Sequence, residues 1–214
     1  MRRLIIERSA IRNNMAAIKE RAQGAALYGV VSGQGGGVGA VRLARLLRDA
    51  GVTRFGVNSV EEAQLLRESG FETEEILMLR STVDREELEQ LVDLSVVCTV
   101  SSVDTGLALN AVAENRSTVA EAHIQVDTGL GFGGFLISEP EKILLAYRSL
   151  PNVALSGIYT QLHAVTGKSQ EVDGQLGQFQ QVLEAIHQAG FETGTVHAAG
   201  SFALMHFDDA RLDA

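Results

Sequence analysis

Residues 54–79, RFGVNSVEEAQLLRESGFETEEILML, carry one complete strand–helix–strand unit. A short β-rich run (54–57) leads into a helical pattern (60–69), and a second apolar run follows at 76–79. Ser59 followed by Glu62 is the pairing that satisfies the free amides of a first helical turn. The same rhythm extends in both directions. Strand readings at 26–31, 96–100, 122–126, 155–161 and 195–198 alternate with helical readings at 38–50, 85–94, 104–115, 139–149 and 175–189. Ser138 with Glu141, and Thr82 with Glu86, mark two further helix starts. Seven strands separated by helices fit either a (β/α)8 barrel or an open doubly wound sheet, and periodicity alone does not separate them.

Composition narrows the class. The chain has 214 residues, 45% of them hydrophobic and 21% charged, as in ordinary globular proteins. The formal net charge of −9 argues against nucleic acid or an anionic membrane as the main partner. No apolar run reaches the roughly 18 residues of a membrane span. One cysteine, Cys98, excludes an internal disulfide and suits a reducing, cytoplasmic compartment. With two prolines and no low-complexity tract, one continuous β/α domain is expected over residues 1–214.

Three places could carry chemistry. SGQGGGVGA (32–40) follows a strand and opens a helix, and Gly35, Gly37 and Ala40 fit a loose G-x-G-x-x-A. Its amides suit a phosphate, but the acidic residue that a dinucleotide site needs on the second strand is poorly met, and a flexible turn is the plainer reading. DTGLGFGG (127–134) places Asp127 at a strand's C-terminal end, either as an active-face carboxylate or as the cap of a turn. His163 and His197 stand on successive strand ends and could meet Asp127 around a metal, although a satisfied core histidine is the more ordinary outcome. His123 is expected at the opposite end of its strand.

Several segments, in this order, resemble the N-terminal barrel domain of alanine racemases, which are pyridoxal-phosphate enzymes. They are IERSAIRNNMAAIKERA; FGVNSVEEAQLLRESGF, with Glu61, Glu62 and Arg67 in place; HIQVDTGLGFGGF; SGIYTQLHA; and VHAAGSFAL followed by ARLDA. The resemblance favours the TIM-type barrel, incomplete if the eighth strand lies beyond Ala214, with residues 3–7 (RLIIE) or a second chain filling the gap. It also implies a homodimer or swapped oligomer and a family C-terminal β domain absent from this chain. Position by position, it implies that Ser32 stands where the family has the lysine that holds pyridoxal phosphate and moves the α-proton. It likewise sets Gly36 at a phosphate-holding tyrosine and Gln161 at a histidine beside the cofactor ring. Gly200 falls at an asparagine of the phosphate cup, Gln125 at a lysine, and Phe132 at an arginine near the substrate carboxylate. Asp127, Thr128, His197 and Ser201 match. The expectation is a racemase-lineage barrel without racemase activity that keeps weak, noncovalent binding of a phosphorylated ligand. A serine hydroxyl can neither anchor an aldehyde nor act as the base near neutral pH. Of the three lysines, Lys19 and Lys142 fall on helices, and Lys168 falls in the loop after the sixth strand.

Overall fold

The computed structural model describes residues 5–163 and 169–214. Strands β1 (Tyr28–Val30), β2 (Arg54–Val57) and β3 (Glu75–Met78) pair in that order, all parallel. Strands β4 (Cys98–Val100) and β5 (Ala120–Asp127) begin a second parallel series. It continues through β7 (Val153–Thr160) to β8 (Thr195–His197). The two-residue β6 (Phe135–Leu136) adds to the end of β5.

Main-chain hydrogen bonds cross both seams between the two series. Met78 N–H donates to Val97 O at 2.9 Å, and Val97 N–H to Ile76 O at 2.8 Å, which joins β3 to β4. On the other side, Asp213 N–H donates to Val196 O of β8 at 2.9 Å, while Ala26 N–H, just before β1, donates to Asp213 O at 2.8 Å. The Asp213 carboxylate also accepts from Val196 N–H at 2.9 Å. The eighth position is thus occupied by the irregular segment 212–214 rather than by a regular strand. It is not filled by the N-terminal run: Ile5, Ile6 and Glu7 are coil leading into a helix, and Arg3 and Leu4 lie outside the described residues.

The helices α1 (Arg8–Ala22), α3 (Ala40–Asp49), α4 (Val60–Glu68), α5 (Arg85–Asp93), α6 (Val103–Asn115), α7 (Pro140–Ser149) and α8 (Ser169–Gln188) alternate with the strands, and α9 (Ser201–His206) follows β8. Outward-facing strand residues and inward-facing helix residues make the apolar layer, in which Phe55 meets Phe71 edge-on at 5.2 Å above a fully buried Leu66. Full burial of one such side chain contributes about 1.5–3 kcal/mol. Ser59 caps α4 through Glu62 N–H as read from sequence. Two other caps are corrected. Asp84, not Thr82, accepts from Glu87 N–H at the start of α5, because the Thr82 hydroxyl is spent on Asp84 N–H. Helix α7 begins after Glu139 with Pro140 in its first turn and no side-chain cap, so Ser138 does not serve there.

Inside the ring of strands part of the filling is polar and aromatic. His197 is sandwiched between Tyr159 (ring centroids 4.8 Å apart) and Tyr28 (5.1 Å). Its Nε2 lies 2.9 Å from His123 Nδ1. The Tyr159 hydroxyl reaches Thr99 Oγ1 at 3.0 Å and donates to Leu79 O at 3.2 Å. Space for the His123 ring exists because residue 157 has no side chain: a Cβ there would sit 2.5 Å from His123 Nε2. Gly157→Ala is therefore expected to destabilise the fold by about 1–3 kcal/mol, the usual range for overpacking. A denaturant midpoint unchanged from the parent chain would contradict this placement of the ring.

Candidate functional site

Because every strand pair is parallel, the segments following the strands share one end of the barrel. Period-two alternation puts residues 28, 30 and 32 on the inner side of β1 and its extension. The opposite side is taken by Gly29, which faces Leu47 of α3. Val30 is half exposed at this mouth despite its place in a strand.

Around the rim stand small uncharged polar groups. Ser32 Oγ accepts from Asn58 Nδ2 at 3.2 Å, and Ser101 Oγ donates to Ser81 Oγ at 2.6 Å. Gln125 is buried, its amide weakly bonded to Phe132 O at 3.4 Å. Gln161 is exposed. Among the described residues the cation at these loops, Arg80, is committed: its Nε donates to Asn58 O and its two terminal nitrogens grip the Glu87 carboxylate at 2.6 and 3.0 Å. That bidentate pair raises the Arg80 pKa and lowers that of Glu87.

The first loop is held from outside. Residues Ser32–Gly36 (α2) form a single tight turn in which Gly33, Gln34 and Gly35 all adopt left-handed dihedrals near φ 60°. The glycines make such a run affordable. One carboxylate, Glu62, accepts from Gly33 N–H at 2.8 Å and from Asn58 N–H at 3.0 Å. It clasps the loop after β1 to the loop after β2.

Other residues singled out from sequence are placed as follows. Asp127 Oδ1 accepts from Gly129 and Gly131 N–H at 2.9 and 3.0 Å, the turn-capping arrangement. Thr128 is buried, sharing hydrogen bonds with Thr160 (2.8 Å) and Gln175 (3.2 Å). Phe132 projects into solvent, 73% exposed. Gly36, Gly200 and Ser201 are exposed, with Gly200 and Ser201 at the start of α9. His197 lies inside the barrel on His123 rather than at the rim, and His123 is in mid-strand rather than at the far end. His163 presents its Nδ1 to Glu171 at 3.7 Å. Asp127, His163 and His197 form no cluster; among the described residues no three His, Cys, Asp or Glu side chains could hold a metal ion. Lys19 donates to Ala50 O and Lys142 to Glu139, both away from the mouth, while Lys168 lies outside the described residues. Cys98 is buried, its thiol pushed up to about 12 by desolvation, and is chemically quiet. Asn58, Ser81, Ser101 and Tyr159 were missed by motif reading. Extending the alternation of each strand inward by two residues would have found them.

A parallel (β/α) barrel with a polar rim at the strand ends defines a class of small-molecule enzymes and their relatives. This chain belongs to the alanine racemase N-terminal domain family, whose model matches residues 6–214. The alanine racemase of Desulforamulus reducens is 31% identical over 213 residues, covering 97% of this chain and 56% of that protein. That of Carboxydothermus hydrogenoformans is 32% identical over 206 residues, covering 95% and 55%. The solved alanine racemase of Clostridium difficile 630 in complex with cycloserine superposes with a TM-score of 0.89 at 26% identity, over 96% of this chain and 57% of that one. The Bacillus anthracis enzyme superposes with 0.87 at 27%, over 97% and 54%. The chain spans little more than half the length of these relatives.

The histidine pair gives this interior a pH signature. Burial depresses His123 to about 4. Burial, with His123 and Arg54 nearby, depresses His197 to about 3. An unfolded histidine takes up its proton near pH 6.5. Between that pH and the folded values the unfolded chain binds more protons, so stability is full above about pH 6.5 and falls as pH drops towards 4. Denaturant titrations across pH 7 to 4.5 should show this slope, and His123→Gln should flatten it. A wild-type slope identical to that of the variant would refute the neutral pair.

Proposed function

We propose that this chain is a racemase-lineage barrel that does not hold pyridoxal phosphate covalently and does not racemise amino acids. Its mouth would take a small phosphorylated molecule weakly and without a covalent bond. The observation that carries this reading is Ser32 at the rim, hydrogen-bonded by Asn58, where the family resemblance sets the cofactor lysine. In the family, pyridoxal phosphate supplies the electron sink for loss of an α-proton. The residues present do not fit that group as a covalent cofactor. No described lysine faces the mouth, and the Arg80 guanidinium is already neutralised by Glu87. A hydroxyl without a partner base is neither nucleophile nor proton acceptor at neutral pH.

The remaining capacity is for positioning. Ser201 and Gly200 offer a hydroxyl and backbone at the start of α9, and Gly36, in the turn after β1, leaves open space where a side chain would otherwise stand. With no free cation among these groups, an anion there is held by neutral donors alone, which is why the binding is weak. Self-association belongs to the same reading. Phe132, Leu136, Phe202 and Met205 are exposed apolar side chains on the segments after β5 and β8, and a second copy covering that end would remove them from water. No described helix is long and apolar enough to cross a membrane, and the buried free thiol of Cys98 suits a reducing cytoplasm.

Mixing the chain with pyridoxal phosphate, reducing with borohydride and mapping by mass spectrometry should yield no stoichiometric adduct at any one lysine. An adduct at Lys168 or elsewhere in one-to-one ratio, or inversion of L-alanine by the chain, would overturn the proposal. Light scattering should give a dimer that Phe132→Ser with Phe202→Ser returns to monomer. A monomeric parent chain removes the self-association.

A further inference from the structure

Among the described arginines, Arg12 and Arg42 alone make no hydrogen bond, ion pair or ring contact. The others are accounted for. Arg67 donates to four backbone carbonyls, those of Phe71, Glu74, Leu94 and Ser95. Arg116 grips Asp93, Arg85 pairs with Glu89, and Arg148 lies over the Phe191 ring. Both unengaged arginines lie on α1 and α3, which pack side by side. Between these helices runs a groove of about 440 Å³ lined by Arg8, Val41, Arg42, Arg45, Leu46 and Asp49.

The charges in this groove do not balance. Arg8 and Asp49 satisfy each other at 2.6 Å. Arg42 has no partner, and Arg45 has only a 3.4 Å contact to Ser69 O, at the limit of a hydrogen bond. Arg42 and Arg45 are three residues apart on one helix, a like-charge spacing that destabilises the helix by a few tenths of a kcal/mol. Arg48, one turn further on, shows what a structural arginine on α3 looks like: it donates to Gly70 O, pairs with Glu74 and covers the Phe71 ring. Two uncompensated guanidiniums thus flank an apolar floor of Val41 and Leu46, on a chain whose net charge is −9.

We infer that the α1–α3 groove is an anion site for a small organic phosphate, its phosphate held by the Arg42 and Arg45 forks and its apolar body resting on Val41 and Leu46. Guanidinium groups match phosphate oxygens bidentately, which a point-charge lysine does not. The volume falls within the range of small-molecule sites. This site lies on the helical exterior and is independent of the barrel mouth.

The test uses the intact chain with phenyl phosphate as probe and inorganic phosphate as its comparison. On the wild-type chain, NMR shifts of the arginine side-chain N–H groups should move saturably at Arg42 and Arg45, more tightly for phenyl phosphate, and weaken with added salt. Arg42→Ala with Arg45→Ala should weaken binding at least about tenfold, the scale of losing charge-assisted hydrogen bonds. Ser201→Ala at the mouth should leave it unchanged. Shifts confined to the mouth, equal binding by the double variant, or no saturation with phenyl phosphate would each overturn the inference. Both substitutions are at exposed positions, so the double variant should keep the wild-type melting temperature, and the shift mapping needs no variant at all.

Discussion

The arrangement rests on one residue's main chain bridging β8 and the residue before β1, where the described residues give no direct main-chain hydrogen bond between the two strands. Asp213 accepts from Ala26 N–H on one side and donates to Val196 on the other, with its carboxylate adding a third bond. A parallel sheet with free edges would leave a row of unpaired amides on β1 and β8. With this bridge in place the strand ends form a rim, and the rim is what brings Ser32, Asn58, Ser81 and Ser101 into one neighbourhood. Three hydrogen bonds of ordinary strength, each contributing about 0.5–1.5 kcal/mol, thus have an effect on shape out of proportion to their energy.

The interior shows how such a barrel accommodates a buried histidine pair. A histidine pair stacked between two tyrosines needs room on one strand and acceptors on its neighbours. Gly157 supplies the first, and Thr99 with the Leu79 carbonyl the second. The cost is that burial lowers the proton affinity of both imidazoles, so protonating either one opposes folding.

Much of the architecture could be read from residues alone. The strand–helix alternation, the Ser59 cap and the parallel order follow from periodicity and from the resemblance of ordered segments to one family. The misreadings share a cause. Spacing alone points to Thr82 and Ser138 as caps, yet which hydroxyl reaches a free amide depends on where the turn before it bends. The sequence puts His197 on a strand from which it could meet Asp127 at the strand ends, but strands in a barrel tilt and are staggered, so the end of a short strand can lie level with the middle of a long one. The rim hydroxyls carry no motif. Only their register with neighbouring strands reveals them. Asp127 illustrates the opposite case, since both of its readings were open in the sequence and the two glycine amides on its carboxylate favour the turn.

Glu62 has a consequence that reaches across the fold. Because its two oxygens each hold a different loop, neither loop can reposition alone: a shift at Gly33 loads Asn58, and through the Asn58 amide, Ser32. Evolution of one loop is therefore yoked to the other, and a sequence change that refits either of them must pass through intermediates in which both are compatible with a single carboxylate.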